Sequence, residues 1–198
     1  MNKKELEIKL SKLLPLRKPD ANLEQYQTDS SLAAELLWNA YLNGDIEDKK
    51  IADLGCGNGI LGTGALLLGA KKAYFIDIDE HALETAKQNS HNKGLYHNLP
   101  IDEFEEETNT VVMNPPFGVQ KRKADKAFLE KAMETSKAIY SIHKIESKTF
   151  IKKLAEEHGF KIENISEKDF LIKKTYPFHT RKRHPVRIGL WILRKRFK

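Results

Sequence analysis

Apolar and polar positions follow two periods along the chain, one typical of strands and one of helices. Short apolar runs between turn residues predict strands, and segments with an apolar stripe every three or four residues predict helices. The predicted strands are KKIADL, KAYFIDI, a weak LYHNL, NTVVM, AIYSIH, FKIENISEKDFLI and VRIGLWILR. The predicted helices are Lys3–Leu14, a segment from Asp29 or Ser30 to Asn43, GILGTGALLLGA, EHALETAKQNSHNKG, DKAFLEKAMETSK and SKTFIKKLAEEHG.

After the first two helices, strands and helices follow one another in turn. This order predicts an α/β fold, with a mostly parallel sheet covered by helices on both faces. The last two strands are expected to form an antiparallel pair. Ligands of such sheets bind beyond the carboxyl ends of the strands. The residues that directly follow each strand are therefore the first candidates for a functional site.

Composition narrows the class of protein. A chain of 198 residues with 40% hydrophobic and 31% charged residues is typical of one soluble domain. No apolar run approaches the roughly 20 residues of a membrane span, and the charged N-terminus lacks the apolar region of a secretory signal. We therefore expect a cytoplasmic protein without membrane contact. The single cysteine, Cys56, excludes an internal disulfide and a cysteine-based zinc site, and no metal is expected.

The net charge of +6 is unevenly distributed. From Leu171 to Lys198 there are ten Lys/Arg and no Asp/Glu, which leaves 24 basic and 28 acidic residues in the rest of the chain. Such an asymmetry indicates a polyanionic partner, most often a nucleic acid. A solvated charged edge is the alternative interpretation of the same charge run.

A glycine-rich turn, ADLGCGNG, connects the first predicted strand to a helix. Gly55, Gly57 and Gly59 allow the backbone to turn sharply and to approach a ligand closely. Asp77 follows the next strand, twenty residues beyond Gly57, where a carboxylate can accept hydrogen bonds from a ribose diol. A helix cap or a surface turn is the structural alternative for Asp77.

The glycine spacing selects among nucleotides. A dinucleotide motif requires G-x-G-x-x-G, but Ile60 occupies its third glycine position, and no Walker pattern for a triphosphate is present. Asp53 precedes the first glycine and would repel a pyrophosphate, whereas it suits a ligand that carries an ammonium group, although it could also only order the loop. An adenosine linked to an amino acid, S-adenosylmethionine, fits this pattern.

The stretch VVMNPPFG places a rigid loop directly after a buried strand. The amide oxygen of Asn114 and the carbonyl of Pro115 can accept hydrogen bonds from the two N–H groups of a planar amine, and Pro116 stiffens the loop. These acceptors stabilise the positive charge that develops on nitrogen during methyl transfer. Phe117 can stack on a base that has left its helix. In isolation, the same stretch would be only a rigid turn.

These motifs together resemble a family of small archaeal and eukaryotic adenine-N6 methyltransferases of small-subunit ribosomal RNA. The similarity extends from LEQYQT through DLGCGNGIL, FIDIDEHALE, VVMNPPFG, DKAFLEKAME and YSIHK to YPFH. It implies a Rossmann-like class I methyltransferase with a seven-stranded sheet and S-adenosylmethionine as its cofactor. It also implies an RNA substrate and, as in the eukaryotic relatives, a Trm112-like zinc-binding adaptor protein.

The resemblance assigns roles to residues at the ends of the strands. Gln25 and Thr28 are expected to close over the cofactor, and Asp77 is expected to bind its ribose. The residues expected to line its methionine side are Gly55, Asn58 and Ile60. The family has an acid after the third strand that contacts the cofactor adenine, but here Asn98 and Leu99 take that place. Asn98 can still pair with adenine through its amide, and Asp102 is the competing candidate.

Two basic segments fit an RNA substrate. The residues expected to contact RNA phosphates are Lys121, Arg122 and Lys123 after the rigid loop, and Arg181, Lys182 and Arg183 near the C-terminus. Tyr176 and Phe178 lie among these charges and could stack on unpaired bases or belong to the core.

The chain is thus expected to form a single methyltransferase domain over residues 1–198. Residues 1–45 would form a helical segment that covers the cofactor, and residues 171–198 a basic strand that contacts RNA. Two alternatives stay open. One is a protein glutamine-N5 methyltransferase, which shares the cofactor site. The other is a non-catalytic RNA-binding assembly factor, which would have no need of two acceptors on a rigid loop.

Overall fold

A computed structural model describes residues 1–17, 25, 27–116, 124–170 and 186–196. The helices in these ranges are α1 (Lys3–Leu10), α2 (Ser30–Leu42), α3 (Ile60–Leu67), α4 (Glu80–Asn89), α5 (Ala124–Thr135) and α6 (Lys148–Glu157). The strands are β1 (Lys50–Leu54), β2 (Lys72–Asp77), β3 (Leu95–Asn98), β4 (Thr110–Met113), β5 (Ala138–Lys144), β6 (Phe160–Phe170) and β7 (Val186–Lys195). Short 3₁₀ turns lie at Ile101–Glu103 and Ile145–Ser147.

The strands form one seven-stranded sheet in the order β3-β2-β1-β4-β5-β7-β6. Strands β1 to β5 are parallel to their neighbours, and β7 pairs antiparallel with both β5 and β6. The predicted fold class and the final antiparallel pair are therefore confirmed. The strand order reverses between β1 and β4, and the carboxyl ends of these two strands border the crevice in which open α/β sheets bind ligands.

The sheet is buried on both faces, as its central parallel strands require. One face packs against α1, α2 and α3, with α4 beside them, and the other packs against α5 and α6. Alternate residues of β1 point to opposite faces of the sheet, so that Ile51 packs on the side of α1, α2 and α3 and Leu54 on the side of α5 and α6. No helix in the described ranges is long and apolar enough to cross a membrane.

The first helix is shorter than predicted. It ends at Leu10 rather than Leu14, because Leu14 bonds elsewhere in the fold. The Leu14 N–H donates to Asn89 Oδ1 at 2.8 Å, and the Leu14 carbonyl accepts from Asn58 and Asn89, each at 3.0 Å. Pro15 also disfavours a helical conformation at the preceding residue. The segment after α1 is thereby fastened to the loop that follows β1.

A polar network holds the end of the sheet that lies away from the carboxyl ends of the parallel strands. The Tyr140 hydroxyl donates to Asp45 at 2.6 Å and accepts from Asn43 at 2.8 Å. Arg194 donates two bonds to the same Asp45 carboxylate, at 3.0 and 2.8 Å, and one to Glu163. The loop between α2 and β1 is thus bound to β5 and β7, away from the carboxyl ends of the parallel strands.

Candidate cofactor and substrate site

A cavity of about 270 Å³ lies at the carboxyl ends of β1, β2 and β4. It occupies the place that the strand reversal indicates. The residues predicted from the sequence that line it are Gln25, Thr28, Gly55, Asn58, Ile60, Asp77, Asn114 and Pro116. The fold therefore brings together side chains from the N-terminal segment, the glycine-rich turn and the rigid loop after β4.

The glycine-rich turn needs its glycines. Gly55, Gly57 and Gly59 have φ angles of 66°, 54° and 75°, in the left-handed region that favours glycine. A Cβ atom on Gly55 would lie 2.7 Å from Cε1 of Phe128, a side chain of α5 that also lines the cavity. The turn can therefore pass close to α5 only without a side chain at position 55.

Asp77 holds the glycine-rich turn and faces the cavity. One carboxylate oxygen accepts from the Gly57 N–H at 2.8 Å, and the other accepts from the Asp79 N–H at 3.0 Å. Burial raises the pKa of Asp77, although these backbone hydrogen bonds oppose the shift. A carboxylate has about four acceptor positions, so Asp77 retains acceptor capacity for a ligand such as a ribose diol.

Asp53 is a second carboxylate at the cavity and is 1% exposed. It accepts from the Gly62 N–H at 2.7 Å, so it does order the start of α3. Burial is the main cause that raises the pKa of Asp53, and the charge of Asp77 adds to the effect. A cation in the cavity would offset the cost of ionising both groups, which favours a positively charged ligand.

The N-terminal segment closes one side of the cavity. Gln25 Nε2 donates to Asp79 Oδ2 at 2.9 Å, at the start of α4. Thr28 Oγ1 accepts from Asn114 Nδ2 at 3.0 Å, at the end of β4. These two contacts hold residue 25 at the start of α4 and residue 28 at the end of β4, and both residues line the cavity.

Asn98 and Leu99 do not take the place that was expected for them. Asn98 Nδ2 donates to the backbone carbonyls of Asp77 and Ile78, at 3.1 and 3.0 Å, and Leu99 packs against the core. Neither residue is among those that line the cavity. Asp102, the alternative acid, does line it, on the short turn after β3.

The rigid loop is described up to Pro116. Asn114 and Pro116 line the cavity, and Pro115 between them is buried. Since the Asn114 nitrogen bonds Thr28, the amide oxygen is left as the acceptor on that side chain. Phe117 lies outside the described residues, as do the basic residues predicted to bind RNA (Lys121, Arg122, Lys123, Arg181, Lys182 and Arg183), and their roles stay predictions.

Several lining residues were missed because they are apolar. They are Leu16, Ile78, Pro100, Ile101 and Phe128. Phe128 belongs to the apolar stripe of α5, and that stripe alone indicates only core packing. For Ile78, a signal was available in its position directly after Asp77 at a strand end. Gln27 was also missed, although it lies between two predicted residues.

The cavity can accept a ligand with polar ends and a flat, apolar middle. The carboxylates of Asp53, Asp77 and Asp102 supply acceptors and negative charge, while Ile78, Ile101 and Phe128 supply apolar walls. An adenine ring, a ribose diol and a cationic methionine group match these three kinds of surface. The residues present therefore fit S-adenosylmethionine.

Comparisons with known proteins show which proteins the chain is similar to. Residues 28–142 match the methyltransferase small domain family. The chain is 39% identical to a protein of Methanocaldococcus jannaschii over 92% of this chain and 89% of that one. It is 33% identical to the rRNA N6-adenosine-methyltransferase METTL5 of Danio rerio over 95% of this chain and 96% of that one. A crystal structure of a candidate RNA methyltransferase from Pyrococcus horikoshii has 40% identity and a TM-score of 0.93, and the match covers 100% of this chain and 99% of that one.

Proposed function

Because the chain belongs to the methyltransferase small domain family, we propose that it transfers a methyl group from S-adenosylmethionine to the N6 amine of an adenine in small-subunit ribosomal RNA. The observation that carries this proposal is the position of Asn114, a side-chain acceptor at the rim of a cavity lined by carboxylates. Relatives named as rRNA N6-adenosine methyltransferases support the substrate class.

The geometry suits a weak nucleophile. The lone pair of an adenine N6 amine is delocalised into the ring, so the amine must become pyramidal before it can react. Asn114 Oδ1 and the Pro115 carbonyl are proposed to accept the two N–H groups in that geometry. Fixed dipoles of this kind stabilise positive charge on nitrogen more in the transition state than in the ground state.

When bound, S-adenosylmethionine supplies a methyl group on a sulfonium. The nitrogen lone pair forms the new N–C bond, the C–S electron pair stays on sulfur, and one amine proton leaves to water. The residues of the chain hold the reactants and supply no covalent group. Asp77 is proposed to bind the ribose and Asp102 the adenine amino group, while Asp53 offsets the positive charge. Holding both reactants in line accounts for a large part of the acceleration.

An adaptor protein is a further part of the proposal. Strand β3 lies at the edge of the sheet, with β2 as its neighbour on one side. Leu95 on this strand is 43% exposed. A Trm112-like zinc-binding adaptor that adds a strand to β3 would cover both the backbone edge and Leu95. Leu95→Lys should weaken copurification with such an adaptor, whereas Phe150→Lys on α6 should not. A cytoplasmic location is likewise proposed.

The test is a transfer assay with labelled S-adenosylmethionine and unmodified small-subunit rRNA, followed by mass spectrometry of the nucleosides. The wild-type protein, with and without the adaptor, should form N6-methyladenosine. Asn114→Ala should reduce the rate by about a hundredfold or more, because it removes one transition-state acceptor. Asn164→Ala, an exposed asparagine on β6, is the matched control and should leave the rate unchanged.

Three outcomes would contradict the proposal. Label in a protein fraction rather than in RNA would indicate a glutamine methyltransferase. If Asn114→Ala forms as much methylated RNA as the wild-type protein does, the loop does not have the assigned role. Absence of cofactor binding in calorimetry would leave an RNA-binding assembly factor as the better description.

A further inference from the structure

The hydrogen bond between Thr28 and Asn114 joins the N-terminal segment to the proposed acceptor for the substrate amine. Asn114 Nδ2 donates to Thr28 Oγ1 at 3.0 Å, and both side chains line the cavity. We infer that Thr28 is a positioning residue, which fixes the amide of Asn114 so that its oxygen faces the substrate amine. The inference rests on the proposed function, because it concerns the same transfer step.

Thr28 itself is held in place by the start of α2. It directly precedes Asp29, whose side chain accepts from the Ser31 N–H at 2.9 Å and caps this helix. Helix α2 is anchored by Leu36 and Leu37, which are both fully buried. At the other end of the segment, Gln25 bonds Asp79. The Thr28 hydroxyl is therefore attached to rigid parts of the fold.

The amide of Asn114 needs such a partner because its two ends have opposite hydrogen-bonding roles. An amine presents only N–H donors, so the productive orientation directs the amide oxygen to the substrate and the amide nitrogen elsewhere. The flipped orientation would set N–H groups against N–H groups. The Thr28 hydroxyl accepts from the amide nitrogen in the productive orientation. If the hydroxyl instead donated to the oxygen of a flipped amide, the amide nitrogen would face the substrate N–H groups. A methyl group in place of the hydroxyl leaves the buried side of the amide without that partner.

Three variants separate this role from packing and from cofactor contact. Thr28→Val removes the hydroxyl and keeps the shape of the side chain, while Thr28→Ser keeps the hydroxyl. Thr63→Val makes the same chemical change at a buried threonine on α3, whose hydroxyl has no hydrogen-bond partner among the described residues. This third variant controls for the effect of the substitution itself.

The first readout does not depend on any substrate. The side-chain amide signal of Asn114 can be assigned in a nitrogen–proton spectrum by its loss in Asn114→Ala. Exchange of its protons with water should be about tenfold faster in Thr28→Val, because one hydrogen bond is lost. Exchange in Thr28→Ser and Thr63→Val should stay close to that of the wild type.

The second readout is kinetic. At saturating cofactor and rRNA, Thr28→Val should lower kcat by about five- to tenfold, while the Kd for S-adenosylmethionine changes by less than about threefold. Thr28→Ser should restore kcat to within about twofold of the wild type, and Thr63→Val should match it. This separation of kcat from Kd would not result from a role in stability alone.

Either readout can overturn the inference. A wild-type kcat in Thr28→Val with weaker cofactor binding would make Thr28 a cofactor contact only. A Thr28→Ser variant as slow as Thr28→Val would assign the effect to packing rather than to the hydroxyl. If the wild-type protein methylates no RNA, the proposed function fails, and the amide exchange of Asn114 alone then decides whether Thr28 positions it.

Discussion

Replacing Gly55 with alanine tests how closely the glycine-rich turn must approach α5. The added Cβ would lie 2.7 Å from Cε1 and 3.1 Å from Cζ of Phe128, well inside normal contact. Gly55 also has a φ of 66°. Gly55→Ala therefore combines a backbone penalty with displacement of an aromatic ring. We expect it to destabilise the protein and to weaken cofactor binding at the same time.

The two penalties can be separated with Gly44→Ala. Gly44 has a φ of 74°, and a Cβ there would meet nothing within 4 Å. Alanine in the left-handed region costs about 1–2 kcal/mol at either position. Overpacking adds about 1–3 kcal/mol, and only at Gly55. The difference in unfolding free energy between the two variants is thus the cost of moving Phe128.

Thermal unfolding measures this difference directly. One kcal/mol shifts the Tm of a domain of this size by about 2–4 °C. Gly55→Ala should therefore unfold roughly 2–12 °C below Gly44→Ala. If the displaced ring occupies the cavity, the affinity for S-adenosylmethionine should fall by about 5- to 150-fold in Gly55→Ala, and calorimetry would show no change in Gly44→Ala.

A double variant identifies the partner in the clash. Phe128→Leu lacks the ring atoms that approach position 55, so it should relieve much of the cost of alanine there. The coupling energy between the two substitutions should be about 1–3 kcal/mol. Equal losses of stability in Gly55→Ala and Gly44→Ala would refute the reasoning, as would strictly additive effects in the double variant.

Three further predictions concern buried polar groups. Burial raises the pKa of Asp53 above its ordinary value of about 3.9. Protonated Asp53 therefore contributes its full stability below that value, and this contribution is lost as the pH rises through the raised pKa. In urea denaturation between about pH 4 and 8, the unfolding free energy of Asp53→Asn should fall less with pH than that of the wild type. Thr63→Val should raise the free energy of unfolding by about 1 kcal/mol in urea denaturation, because a buried hydroxyl without a partner among the described residues is removed. Tyr140→Phe should lower it by about 1–2 kcal/mol in the same assay, because the bonds to Asp45 and Asn43 are lost.

The parallel strands β1, β2, β4 and β5 could be predicted because each is a buried, mostly apolar run between turn residues. The glycine-rich turn and Asp77 could be placed for the same reason, since both follow such runs. Their mutual contact, in which Asp77 accepts from the Gly57 N–H, agrees with their position on adjacent strands. The hydrophobic pattern could not predict the close approach of Phe128 to Gly55, because this contact depends on how α5 packs on the sheet.

The end of α1 was predicted wrongly, and Asn98 is not among the residues that line the cavity, for a related reason. In both cases a side-chain amide bonds a backbone group that local sequence leaves unspecified. Asn89 accepts a hydrogen bond from the Leu14 N–H, and Asn98 donates to the carbonyls of Asp77 and Ile78 at the end of β2. Propensity and spacing describe neighbours along the chain, whereas these amides reach another element. Asp102 was already the competing candidate from the sequence, and the fold places it, but neither Asn98 nor Leu99, among the lining residues.

The family motif YSIHK illustrates how a characteristic motif can lie in the core. Burial lowers the pKa of His143 to about 3, so the ring is neutral at physiological pH. It packs edge-on against Trp191, with ring centroids 6.2 Å apart, and is 1% exposed. His143 therefore has no solvent-exposed charge to offer to RNA. The resemblance carried by this motif supports the fold and not a contact.

The two buried carboxylates connect stability to binding. Asp53 and Asp77 both have a raised pKa in the free protein, mainly through burial, and the charge of Asp77 raises that of Asp53 further. Ionising them costs stability, and a cationic ligand in the cavity offsets that cost. The affinity for S-adenosylmethionine should therefore increase with pH over the same range in which the free protein loses stability. The ionised carboxylates thus cost stability in the free protein, and a cation bound in the cavity offsets that cost.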